Sequence, residues 1–204
     1  MKKLQIGKSI ILLIQKNKVD NGNLLISFKT NLKIYFIPHN YPSLEMYSNG
    51  VECGILKAER KNPNAKVFQT LVRERANIIM SEKGLYEVVL VDNKKRITEG
   101  SRSNLFFVKG NQIITSPGNN VLLGITRQKT IQLTKDLGYV FCEKEVFLSE
   151  LSTFDSIFIT GTSPKILPVN RIGNVCFNPQ NEITQKLIYS FNKLIESYIY
   201  KFSG

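Results

Sequence analysis

Residues 96–127 read RITEGSRSNLFFVKGNQIITSPGNNVLLGITR, and the rest of the chain is organised around them. One carboxylate, Glu99, sits inside an otherwise strand-like run, with small hydroxyl residues beside it at Thr98, Ser101 and Ser103. The stretch ends in Gly124-Ile125-Thr126-Arg127, a turn that opens a helix reaching about Leu137 and capped by Gly138. A buried acid, a small-residue turn and a helix N-terminus close together are the parts needed to hold a charged, phosphorylated aromatic ligand.

Each part also has a plain structural reading. Glu99 reads either as a turn cap or as a carboxylate facing a pyridine nitrogen. In the second role it would keep that nitrogen protonated and make the ring a better electron sink. The turn into the helix, Leu123 to Arg127, offers free N–H groups and the macrodipole to a phosphate. A second such turn, Thr160-Gly161-Thr162-Ser163, follows a strand and combines hydroxyls with a glycine that permits close backbone approach. Gly/Thr/Ser turns are common, and either one alone says little.

Upstream, Phe68, Leu71, Val72, Arg75, Ala76 and Ile79 repeat every 3.6 residues and predict a helix just after Lys66, stopped by Gly84. A lysine before an apolar helix reads as a snorkelling surface residue. Held in an apolar or cationic pocket, it would shed its proton and serve as a Schiff-base nucleophile. Lys57, nine residues earlier, competes for that role. Residues 86–91 form a near-continuous apolar strand, turned at 93–95 into the strand that carries Glu99. Further strands are expected at 104–108, 112–115, 139–146, 155–160 and 166–169, and a last amphipathic helix at 182–200. Hairpin-joined strands with flanking helices and no strict βαβ alternation indicate an α+β fold.

The N-terminal part reads differently. Residues 3–16 suit an amphipathic helix, and the apolar runs 24–28 and 34–37 suit a hairpin. Pro38 and Pro42 then open an extended stretch to Gly50, the best linker candidate. Two units follow from this, 1–45 and 46–204. The first would not bury a core alone and looks like the later part of a domain.

At 204 residues, with 42% hydrophobic and 22% charged, the composition is that of a globular protein with a full core. The apolar run at 10–14 is too short to span a bilayer, and no cleavage site follows the opening lysines, so a cytoplasmic location without membrane contact is expected. Cys53, Cys142 and Cys176 form no ligand pair with each other or with His39, which argues against zinc and disulfides. The formal charge of +12 comes from 21 lysines and 7 arginines scattered along the chain. No basic–aromatic interleaving accompanies them, so no nucleic-acid partner is expected.

The order Lys66, Tyr86-Glu87, Ile97-Thr98-Glu99-Gly100-Ser101-Arg102-Ser103-Asn104, Leu123-Gly124-Ile125-Thr126-Arg127 and Gly161-Thr162-Ser163 resembles the fold-type IV, class IV aminotransferases. That family depends on pyridoxal 5′-phosphate and includes D-amino acid aminotransferase, branched-chain aminotransferase and aminodeoxychorismate lyase. The resemblance implies that Lys66 carries the cofactor as a Schiff base and shuttles protons. It also implies that Glu99 lies beneath the pyridine nitrogen and that Leu123 packs on the ring. Ile125, Thr126 and Thr162 would then meet the phosphate, with Gly161 lining the same turn, and Thr162 and Ser163 would lie near the substrate carboxylate. Activity would move an amino group from an amino acid to a 2-oxo acid in a homodimer. A lyase of the aminodeoxychorismate type is the alternative enzyme. A shortened, inactive remnant is the other reading, since the family's opening strands have no counterpart here. It predicts exposed apolar surface around residues 24–37. Branched-chain members carry tyrosine where this chain has Leu71, which argues against branched-chain specificity.

Overall fold

The computed structural model describes residues 3–19, 22–28, 30–39, 41–59 and 70–202. Lys66 lies outside the described residues. The chain divides into two compact units, Met1–Tyr41 and Pro42–Gly204.

The first unit is a helix, α1 (Lys3–Asn17), and a hairpin of β1 (Asn23–Phe28) and β2 (Leu32–Ile37). The strands pair antiparallel from Asn23 opposite Ile37 to Phe28 opposite Leu32. Helix and hairpin match the expectation from periodicity. With so few elements the unit leaves Phe28 60% exposed, and Ile26 and Tyr35 are exposed beside it.

The second unit begins with a short helix, α2 (Leu44–Asn49), where the sequence suggested an extended linker. Ser43 caps it by accepting the Met46 N–H at 3.3 Å, and Gly50 ends it at φ 72°. The flanking prolines hid this turn of helix, and the boundary expected after residue 45 falls inside it. Then come β3 (Val51–Lys57), α3 (Thr70–Lys83), β4 (Glu87–Val91), β5 (Arg96–Gly100), β6 (Asn104–Lys109) and β7 (Gln112–Thr115). They are followed by α4 (Ile125–Asp136), β8 (Val140–Glu143), β9 (Val146–Phe147), β10 (Ser156–Gly161), β11 (Lys165–Ile172), β12 (Val175–Cys176) and α5 (Glu182–Phe202).

Among the described residues these strands form one sheet in the order β8-β7-β6-β10-β11-β3-β4-β5-β9, with β12 added to β11. The pairs β11–β3, β3–β4 and β7–β8 are parallel and the rest antiparallel. The α+β class expected from the element order is therefore the observed one. Two details differ. β3 was not anticipated, because its partners β4 and β11 are remote in sequence. The single strand expected at 139–146 is two, β8 on β7 and β9 on β5.

Alternate residues of the central strands feed opposite faces. Leu105, Phe107, Ile157, Ile159, Leu167 and Val169 share one core cluster. Phe106 and Phe158 belong to another, which includes Leu187 and Phe191 of α5, and their rings stack at 5.1 Å between centroids. Full burial of one such ring stabilises the fold by about 2 kcal/mol. On α3, Ala76 and Met80 close over Leu56, Val88 and Leu90.

Asp92 shapes the turn from β4 to β5, the strand that presents Glu99. Its Oδ1 accepts the N–H groups of Lys94 and Arg96, both at 2.9 Å, and its Oδ2 accepts Arg96 Nε at 2.7 Å. Burial pushes the Asp92 carboxyl up, but the Arg96 and Lys94 donors with the Arg96 charge outweigh it and hold the carboxyl below its usual range. A carboxyl depressed in the folded state stabilises above its unfolded value and loses that contribution as pH falls through the folded value. Asp92→Asn is therefore expected to lower the urea midpoint at neutral pH. The gap to the parent should close as pH falls from about 4 towards 2. A gap independent of pH would show that the Asp92 charge is not what matters.

Candidate active site

A cleft of about 790 Å³ lies where four pieces of the second unit converge. α3 contributes Val72, Arg73 and Asn77. The end of β5 and the turn into β6 contribute Glu99 and residues 101–104. The entry to α4 contributes residues 122–126, and the end of β10 contributes residues 160–162. Among the charged residues lining it, Arg73 and Arg102 outnumber Glu99, so the described wall favours an anion.

Glu99 is 2% exposed, and its Oε2 accepts the Leu122 N–H at 3.1 Å. That bond ties the acid to the segment entering α4. The helix starts at Gly124 with no side-chain cap, and the first N–H to bond back is that of Gln128, to Gly124 O at 3.0 Å. Helical geometry leaves the earlier N–H groups without intrahelical acceptors. Together with the macrodipole they hold an anion at roughly 0.3–1 kcal/mol in exposed settings and more when partly buried. Beside the cleft, Thr160 Oγ1 is buried with no hydrogen-bond partner among the described residues. A buried hydroxyl left that way is costly unless something else meets it.

The residues flagged in the sequence therefore gather on one surface. Glu99, Leu123, Ile125, Thr126, Gly161 and Thr162 all line the cleft, and Ser163 does not. Lys57, the rival lysine, is exposed at the end of β3 and is not part of the lining. Asn104, Leu122 and the neighbouring Glu87 were not assigned roles from sequence. The only signal for Asn104 was its place directly after the hydroxyl-rich turn. Tyr86, next to Glu87, is pushed up to about 12 by burial first, then by Tyr47 and the Glu87 charge, so it stays a neutral phenol.

Residues 2–172 match the family profile for amino-transferase class IV. The chain belongs to the class IV aminotransferases. A probable branched-chain-amino-acid aminotransferase of Synechocystis sp. is 38% identical over 108 residues, covering 52% of this chain and 35% of that protein. One of Thermotoga maritima is 32% identical over 183 residues, covering 86% and 63%. The solved T.th. branched-chain amino acid aminotransferase complexed with N-(5′-phosphopyridoxyl)-L-glutamate matches with a TM-score of 0.67 at 26% identity. That match covers 72% of this chain and 52% of that one. The chain thus spans 35% to 63% of the length of these two curated relatives.

Class IV aminotransferases depend on pyridoxal 5′-phosphate. The cleft fits that group on its own chemistry. Glu99 is a buried carboxylate that a ring nitrogen could face, and the uncapped start of α4 has N–H groups that would suit a phosphate. The unpartnered Thr160 hydroxyl adds a donor on the same wall.

Proposed function

We propose that the chain acts as a pyridoxal-phosphate-dependent aminotransferase, moving an amino group from an amino acid to a 2-oxo acid. One observation carries this reading. A buried carboxylate and an open helix N-terminus share one cleft and are joined through Leu122, which is bonded to Glu99 two residues before the helix cap. Pyridoxal phosphate, when bound, supplies a conjugated ring that takes up the electron pair released at the substrate α-carbon.

The chain's own residues do the rest. Glu99 holds a proton at the pyridine nitrogen. The N–H groups of Ile125 and Thr126, with the Thr126 and Thr162 hydroxyls, hold the phosphate. Leu123 covers the ring face, and Gly161 leaves room for it. Lys66 Nζ would hold the cofactor until the substrate amine displaces it, and the freed amine would then take and return the substrate proton. Thr162 and Ser163 serve the substrate carboxylate. Leu71 is 75% exposed and does not line the described cleft, so its identity does not decide which amino acid is taken. The protein works in the cytoplasm as a homodimer; the exposed Ile26, Phe28 and Tyr35 suit contact with a second copy, and they are equally the exposed apolar surface that the inactive-remnant reading expects around residues 24–37.

The test is direct. Purified chain incubated with pyridoxal phosphate and then freed of unbound cofactor should stay yellow, and an added amino acid should bleach the colour, restored by a 2-oxo acid. A chain that takes up no cofactor would overturn the proposal. Colour without the amino-acid response, but with pyruvate released from aminodeoxychorismate, would replace it with the lyase reading.

A further inference from the structure

The cleft contains an acid whose function the cofactor chemistry assigns, Glu99. Behind its wall lies another that no step uses. Glu87, the first residue of β4, is 2% exposed, and its carboxylate accepts five hydrogen bonds. Its Oε1 takes the Val88 N–H at 2.8 Å, the Ser101 N–H at 3.1 Å and the Ser101 hydroxyl at 2.6 Å. Its Oε2 takes the Arg102 N–H at 3.1 Å and the Ser103 hydroxyl at 2.9 Å. Four of the five come from the turn 101–103, so the carboxylate is the centre about which that turn is wound. Bonds to an ionised acceptor are the stronger kind, and their geometry is correspondingly fixed.

The turn delivers Asn104, whose Nδ2 donates to Leu122 O at 2.8 Å. Leu122 N–H in turn donates to Glu99 Oε2 at 3.1 Å. Leu122 is thus gripped at its carbonyl by the turn and at its N–H by the acid. Gly100 and Gly124 close against the same relay. A methyl at Gly100 would lie 3.1 Å from Cγ and Cδ of Glu87 and collide with the Ser103 hydroxyl. One at Gly124 would lie 2.7 Å from Asn104 Oδ1. Neither approach leaves slack for the relay to drift.

We propose that Glu87 is a positioning residue. It winds the 101–103 turn so that Asn104 and Leu122 hold Glu99 and the start of α4 at one fixed separation. This rests on the cofactor reading above, since that separation matters because one ligand must meet both ends.

The variant Glu87→Gln keeps the shape but turns an amide N–H₂ towards donors. Two readouts follow on the full chain. In amide hydrogen exchange without cofactor, Leu122 should exchange about tenfold faster, as should Ser101 and Arg102, the loss expected for one charge-assisted hydrogen bond. Core amides such as Phe158 should not change. In titration with pyridoxal phosphate, the dissociation constant should rise about tenfold, and the pH midpoint of the bound chromophore should move. Faster exchange confined to Ser101 and Arg102, with unchanged Leu122, affinity and midpoint, would reduce Glu87 to a local structural role and overturn the proposal. Should Glu87→Gln fail to fold, Ser103→Ala removes a single donor, and the same Leu122 and midpoint shifts are required of it in smaller measure. If the parent chain takes up no pyridoxal phosphate, the cofactor reading fails, while Leu122 exchange still decides the relay.

Discussion

Lys66→Ala should cost the protein at least about 1,000-fold in transamination, the upper part of the range for removing a positioned proton-transfer group. It should also abolish attachment of the cofactor to the chain after borohydride treatment. In the parent, a peptide containing Lys66 should carry the reduced cofactor, visible by mass. The argument combines sequence and structure. Lys66 precedes α3 by four residues, and α3 supplies Val72, Arg73 and Asn77 to the cleft wall. The rival, Lys57, is exposed at the end of β3 and lines no part of it. Lys57→Ala should therefore keep its activity and its borohydride product. Label found on Lys57, or full turnover in Lys66→Ala, would reverse the assignment. The conservative Lys66→Arg variant sharpens the test. It keeps the positive charge, so noncovalent phosphate binding should survive, but a guanidinium does not readily give up its proton to act as a nucleophile.

The two parts of the site differ in how readable they were. Glu99 was visible because, in the strand Arg96–Gly100, it is the one acid, set between Thr98 and Gly100 and ahead of a hydroxyl-rich turn. The α4 entry was visible because Leu123 to Arg127 is a turn followed by a helical period. Such signals are local, carried within a few residues of the feature they reveal. Glu87 carried none. It opens an apolar strand, and the donors it gathers at 101–103 are largely backbone N–H groups and common serines, brought to it by the pairing of β4 with β5. β3 was hidden for the same reason. Its alternation is broken by Gly54, and it is held between β4 and β11 by parallel pairing that local turns do not announce. α2 was hidden by chemistry of the opposite kind: two prolines suggested extension, and the Ser43 cap between Pro42 and Leu44 is a single hydroxyl. The core was the most legible part. Strands covered on both faces read as unbroken apolar runs, as at Val88 to Val91 and Leu105 to Val108.

Glu99→Gln should leave the fold standing and remove most of the chemistry. The glutamine oxygen still accepts the Leu122 N–H that Glu99 Oε2 accepts at 3.1 Å, so the link to α4 survives and the cofactor should still bind. The amide has no negative charge, however, and nothing else acidic lines the described cleft to replace it. A pyridine nitrogen there would lose its proton near neutral pH, and the ring would become a poorer electron sink. Loss of one preorganised electrostatic partner in a dry site typically costs about 100- to 1,000-fold in kcat, and that is the expected fall. KM should change little if Glu99 faces the ring nitrogen and not the amino acid, and a raised KM would count against that placement. The bound chromophore should also titrate at a lower pH, a spectral change that simple loosening of the cleft does not produce. Glu99→Ala distinguishes the two contributions of the acid. It removes charge and acceptor together, leaves the Leu122 N–H without that partner, and should lose cofactor affinity as well as turnover. If Glu99→Gln and Glu99→Ala fall equally in affinity, the hydrogen bond to Leu122 plays no part in building the site. If Glu99→Gln retains turnover within about threefold of the parent, below the smallest loss expected of such a partner, the acid does not serve the ring nitrogen.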